Sequence, residues 1–175
     1  MKSSNQTYGT MAVCIHWVSA ILVIVLIGTG FRAGYAENLV AKASLLRIHL
    51  PVAALVLALT VWRLIWWWRF DYKPSEVEGL PAWQSFVARW THRGLYLLIF
   101  VMLGSGIAMS VMSGLPNALF GTAPFPELAE LPPRAVHGFA AVLIAAAVLL
   151  HAAAACYHHW VLKNRTLKRM LPRSR

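Results

Sequence analysis

The sequence predicts an all-α integral membrane protein, a four-helix bundle with no separate soluble domain. Two observations lead. The chain of 175 residues is 59% apolar and only 13% charged, about half the charge of an ordinary soluble domain. It also contains four apolar stretches that each reach roughly the 20 residues a spanning helix needs, with Pro, Gly and charge collected between them.

The stretches run over about 11–31, 49–68, 93–112 and 134–160, and residues 1–175 read as one transmembrane domain. The first is long, follows a mostly polar start and contains His16-Trp17, so it reads as a span rather than a cleaved signal peptide. The second ends in Trp62, Trp66, Trp67 and Trp68 beside Arg63 and Arg69, an interfacial belt. The third follows His92 and is bounded by Arg93. The fourth, "RAVHGFAAVLIAAAVLLHAAAACYHHW", could sit in lipid, yet it carries four histidines. An ionisable residue at membrane depth marks a functional site by default.

The net charge of +10 arises from 16 Lys+Arg against 6 Asp+Glu. Its distribution points to topology and lipid headgroups, not to nucleic acid. Lys2, the Arg63–Arg93 segment and the tail (Lys163, Arg165, Lys168, Arg169, Arg173, Arg175) hold 12 basic residues, against 4 at Arg32, Lys42, Arg47 and Arg134. The positive-inside rule then places both termini and the middle connection in the cytoplasm. Cys14 and Cys156 form no CxxC or CxxCH motif, so neither a zinc ribbon nor covalently attached haem is indicated.

Along the fourth stretch, His137, His151 and His158 fall on one helical face, with offsets of about 40° and 20° at 100° per residue, while His159 points about 80° away. His137 then lies near the outer surface, His151 deeper in the inner half, and His158 at the inner mouth. On the other stretches, His49 matches His137 in depth, His16 is nearest His151, and His92 lies near the level of His158. Facing neutral imidazoles in a bundle core suit the axial positions of a haem iron. Gly28, Gly30, Gly104, Gly106, Gly138 and the alanines around His151 leave space for a planar group. Zinc is the competing metal, but it favours Cys or carboxylate company, and no Asp or Glu falls in any of the four stretches. A non-redox, histidine-lined metal transporter is the corresponding alternative.

The carrying segments are Ile15-His16-Trp17, Arg47-Ile48-His49, "VWRLIWWWRF", "THRGLYLLIFVMLGSGIAMS", "VHGF" and "HAAAACYHHWVLKNRTLKRMLP". By these, over nearly all its length, the chain resembles the bacterial cytochrome b561 family, in particular its superoxide oxidase (superoxide:ubiquinone oxidoreductase) branch. The resemblance implies two non-covalent b-type haems in a bacterial inner membrane. His16 and His151 would hold the inner haem, His49 and His137 the outer, which are the same pairs that depth suggests. It further implies ubiquinone as acceptor on the cytoplasmic side near His158 and His92. Superoxide as donor would suit the outer side, where Arg134, Arg47 and Lys42 could attract an anion. The loop "SGLPNALFGTAPFPELAE" is the least family-like segment. The alternative within redox chemistry is a cytochrome b subunit that links a partner dehydrogenase or hydrogenase to quinone.

Overall fold

A computed structural model describes residues 2–75, 77 and 79–171; Pro172, Arg173 and Arg175 of the basic tail lie outside the described residues. The elements are α1 (Thr10–Gly34), α2 (Leu39–Arg69), α3 (Ala82–Ser113), α4 (Leu115–Phe120), α5 (Pro132–Trp160) and a 3-10 turn over Lys168–Met170, with no strand among the described residues. All but α4 and the short turn are long and apolar enough to cross a membrane. Ile21, Ile24, Leu97, Leu149 and Leu150 lie open on their outer surfaces. Each would cost about 1.5–3 kcal/mol if left in water, and none of that cost arises in lipid.

α1 and α5 start within two residues of their predicted positions, but α2 and α3 do not. α2 starts at Leu39, where the Asn38 side chain accepts the Ala41 N–H at 2.8 Å. The helix thus starts ten residues before the predicted start at His49. Lys42 and Arg47 fall before the predicted start, yet both are inside the helix, as is Pro51. α3 likewise begins at Ala82, just after Pro81, and carries Arg89, His92 and Arg93 within it. Both helices extend beyond the apolar stretch because polar residues continue a helix wherever its ends reach water. His49 and His92 are therefore interior helical residues, not openings.

α1 packs along α2, and α3 along α5, as two pairs; the pairs approach one another far more sparsely. Side chains, not backbone, line the seam between them. At one end α4 and the chain after it form a cover. Leu115, Leu119 and Leu128 bury together against Ala43, Leu46 and Leu50 of α2. Gly114, at φ 66°, makes the left-handed turn that separates α3 from α4. The Arg47 Nε–H donates to the Leu119 carbonyl at 2.8 Å, tying this cover to α2.

The opposite end is strapped by polar contacts. The Ser3 N–H and hydroxyl donate to the Asp71 carboxylate at 3.0 and 2.8 Å, and Trp66 Nε1–H donates to it at 3.2 Å. Arg169 donates to the carbonyls of Gln6 and Ser75 at 2.7 and 2.6 Å. Trp17 Nε1–H donates to the Met170 carbonyl at 2.7 Å. The N-terminal segment, the α2–α3 connection and the tail thus meet at one end, the grouping that the charge distribution requires.

Candidate cofactor sites between the helix pairs

The seam holds two histidine pairs. His49 of α2 faces His137 of α5 with ring centroids 6.4 Å apart. His16 of α1 faces His151 of α5 at the same 6.4 Å. Two imidazoles on opposite faces of one iron, with metal–nitrogen bonds of about 2 Å, would have centroids about 6 Å apart. Both pairs meet that spacing.

At the His49–His137 pair, expected from the sequence to be the outer one, the rings are fixed from behind. The Thr29 hydroxyl donates to the Val25 carbonyl at 2.7 Å and lies 3.0 Å from His49 Nδ1. The Ser105 hydroxyl donates to the Val101 carbonyl at 2.7 Å and lies 2.9 Å from His137 Nδ1. A hydroxyl has one proton, and in each case a backbone carbonyl takes it. Its oxygen is left to accept from Nδ1–H. Both rings therefore carry their proton on Nδ1 and offer an unprotonated Nε2. The next residue in each helix is a glycine. A Cβ on Gly30 would come within 3.1 Å of His49 Cε1, and one on Gly106 within 3.4 Å of His137 Cε1. The other two glycines expected to make room, Gly28 and Gly104, have nothing within 4 Å of an added Cβ.

A cavity of about 550 Å³ adjoins this pair, lined by His49, His137, Gly30, Gly106, Gly138 and Arg134 among others. That volume is within the roughly 300–1,000 Å³ usual for cofactor and ligand sites. Lys42 also lines it, whereas Arg47 is turned to the Leu119 carbonyl. The Arg134 guanidinium passes over Gly138, where an added Cβ would meet it at 3.0 Å.

The inner pair has different neighbours. His92 approaches His151 with centroids 5.3 Å apart, too short for two rings on opposite faces of one iron. The expectation that His92 would sit near the level of His158 is corrected: the early start of α3 carries it to His151. Its Nδ1–H donates to the Ala88 carbonyl at 2.7 Å. Arg63 lies within electrostatic reach of His16, His92 and His151. Its guanidinium is 5.8 Å from the Tyr96 ring centre, and its buried Nε has no hydrogen-bond partner among the described residues. A carboxylate-bearing group placed there would satisfy it.

At the mouth, α5 ends in a turn that places Lys163 at φ 53° and returns the Asn164 N–H to the His158 carbonyl at 3.0 Å. The Asn164 side-chain oxygen accepts the Thr166 N–H, so its amide nitrogen faces His158 Nδ1, at 2.7 Å. His158 therefore keeps its proton on Nε2. The buried His159 Nδ1 and Thr166 Oγ1 have no partner among the described residues.

Thr29, Ser105 and Asn164 are not singled out by the sequence reading, and Arg63 enters it only as part of the interfacial belt and the basic segment. The available signal was a hydroxyl residue followed by glycine, Thr29-Gly30 and Ser105-Gly106, each in the apolar body of a span.

Four spanning helices with paired imidazoles in their seam define a membrane protein built to hold planar metal cofactors. The family profile described as prokaryotic cytochrome b561 matches residues 7–173. The chain belongs to that family, and so is a membrane b-type cytochrome of electron transfer. It is 29% identical to cytochrome b561 homolog 2 of Escherichia coli (strain K12), over 98% of this chain and 95% of that protein. It is 28% identical to the probable superoxide oxidase CybB of Yersinia pestis, over 98% of this chain and 99% of that protein. Identity to cytochrome b561 homolog 1 of Escherichia coli (strain K12) is 29%, over 91% and 93% of the two chains. The helical fold and membrane character agree with the sequence expectation.

Proposed function

We propose that the chain holds two b haems, one at His49/His137 and one at His16/His151, and transfers electrons from superoxide to ubiquinone. The observation that carries the reading is the duplicated 6.4 Å imidazole pair. The name of the Yersinia pestis relative supports the donor. Bound haem would supply one-electron transfer without oxygen binding, because two imidazoles leave iron no open position. In the overall reaction two superoxide anions each lose one electron to become oxygen, and one quinone gains those two electrons and two protons.

The chain's own residues set the direction. Arg134 and Lys42, both on the outer cavity, raise the local concentration of a small anion and orient its approach. Arg47 secures the apolar cover beside them. At the other end His158 presents Nε2–H, held by Asn164, as a hydrogen-bond donor to a quinone carbonyl. The resulting orientation places both termini in the cytoplasm of a bacterial inner membrane, with Arg134 outside.

The test is anaerobic purification followed by a superoxide pulse, with haem absorption followed with and without added quinone. Arg134→Glu should slow reduction, by about tenfold at low salt, and weaken or reverse the salt dependence, since exposed charges are screened over about 8–10 Å at ordinary ionic strength. His158→Phe should spare reduction and slow reoxidation by quinone. If the two effects exchange places, the orientation is inverted. If superoxide reduces neither haem while a co-purifying dehydrogenase does, the chain is a partner enzyme's cytochrome subunit.

A further inference from the structure

We infer that Thr29 and Ser105 are positioning residues that set the protonation and electron-donating strength of the outer imidazoles, making the outer site electronically distinct from the inner one. The inference rests on the haem reading above. Each hydroxyl has its own proton engaged by the carbonyl four residues back in its helix. Each oxygen is therefore left to accept from Nδ1–H, beside the Leu26 and Met102 carbonyls that also lie within hydrogen-bond reach of the His49 and His137 rings. Accepting that proton's hydrogen bond makes the ring a more basic ligand through Nε2. A more basic axial ligand favours the oxidised iron, and so holds the outer site at a lower potential than it would otherwise have.

The two devices are built alike on different helices. Thr29 and Gly30 of α1 serve His49 of α2; Ser105 and Gly106 of α3 serve His137 of α5. In each, the hydroxyl holds one edge of the ring, and the missing Cβ lets the helix approach its Cε1 edge. The rings can neither rotate nor exchange tautomers without breaking a hydrogen bond or colliding with a helix. The inner pair has no counterpart: among the described residues, neither His16 nor His151 makes a side-chain hydrogen bond, and the neighbour of His151 is another imidazole. An outer site of low potential and an inner site without that bias would make transfer from outside to inside downhill.

The experiment uses the full-length chain in detergent with its haem. Thr29→Val and Ser105→Ala are each titrated potentiometrically, and low-temperature EPR of the oxidised form records the axial ligand field. The expected result is a shift of the outer midpoint to more positive potential, a changed outer EPR signal, and an unmoved inner midpoint. Thr29→Ser and Ser105→Thr should restore the wild-type values. An unshifted outer midpoint with haem retained, or equal shifts at both sites, would overturn the inference. If the variants shed the outer haem, recovery in the two hydroxyl-restoring variants supports it; loss there as well assigns both positions to packing and overturns it. Failure of the underlying reading shows up separately, as a wild-type chain with no haem dependent on His49 and His137.

Discussion

The two histidine pairs have the same spacing and different surroundings. The outer pair is held by hydroxyls and glycines from two neighbouring helices and adjoins a cavity with a cationic rim. The inner pair is crowded by His92 and by Arg63, whose Nε has no partner among the described residues. Equal spacing is what one iron between two rings would demand in the proposed two-haem arrangement. Under the proposed function, the unequal surroundings suit different partners at each end: a small anion at the His49–His137 end, and a larger, proton-taking acceptor at the other. The fold sets the first feature through helix packing, and individual polar side chains set the second.

The largest test of this contrast is removal of a ligand. His49→Ala should halve the haem content and leave the inner spectrum, and His151→Ala should do the reverse; a pyridine haemochrome assay and redox titration measure both. The inner pairing is sharpened by comparing His16→Ala with His92→Ala. At a centroid distance of 5.3 Å, His92 should be dispensable for haem retention. If His92→Ala abolishes the inner haem and His16→Ala does not, the pairing proposed here is wrong.

A smaller effect is expected from crowding the outer ring. Gly30→Ala would place a methyl group 3.1 Å from His49 Cε1. Outer haem affinity should fall by roughly 10–100-fold, the range seen when ligand-orienting contacts are disturbed, while Gly28→Ala, with open space around it, should retain haem. Equal losses in both variants would show that general helix disturbance, not the ring cradle, is responsible.

The smallest effect compares the two ends. The outer cover is closed by leucines and should not respond to pH, whereas the inner strap depends on Asp71. Partial burial pushes the Asp71 carboxyl up, but hydrogen bonds from the Ser3 hydroxyl and N–H, Tyr72 N–H and Trp66 Nε1–H outweigh it and hold the group below its ordinary range. A lowered folded-state pKa contributes stability that is complete above the unfolded value of about 4 and is lost as pH falls through the folded value. Hydrogen exchange at residues 3–9 should therefore rise on acidification below about pH 4, and Asp71→Asn should show faster exchange already at neutral pH. Exchange that is fast and pH-independent in the unaltered chain would count against the strap.

Much of the fold was legible because lipid imposes simple rules. Apolar length predicted four spans, and the periodicity of the fourth put His137 and His151 on one face. The starts of α2 and α3 were hidden because Lys42, Arg47 and Arg89 read as loop charges, while the Asn38 cap of α2 lay upstream of Lys42 and Arg47. The histidine pairs were legible because imidazoles are rare in apolar sequence. Thr29 and Ser105 were not, since a hydroxyl in a spanning helix commonly bonds only its own backbone. Which ring it also meets is decided by a neighbouring helix, and no local pattern encodes that.

The pairing of α1 with α2, and of α3 with α5, bears on how the molecule is made. His16 and His49 belong to the first pair, His137 and His151 to the second. Each proposed haem would thus draw one ligand from either half, bridging a seam that the backbones scarcely close. During biogenesis the first half would enter the bilayer as soon as it left the ribosome, and the second would follow, each as its own insertion unit. Final closure would then wait on porphyrin supply. In a cell short of haem, the newly made chain would remain as two loosely joined halves with imidazoles turned toward lipid, a form that membrane proteases could recognise and clear.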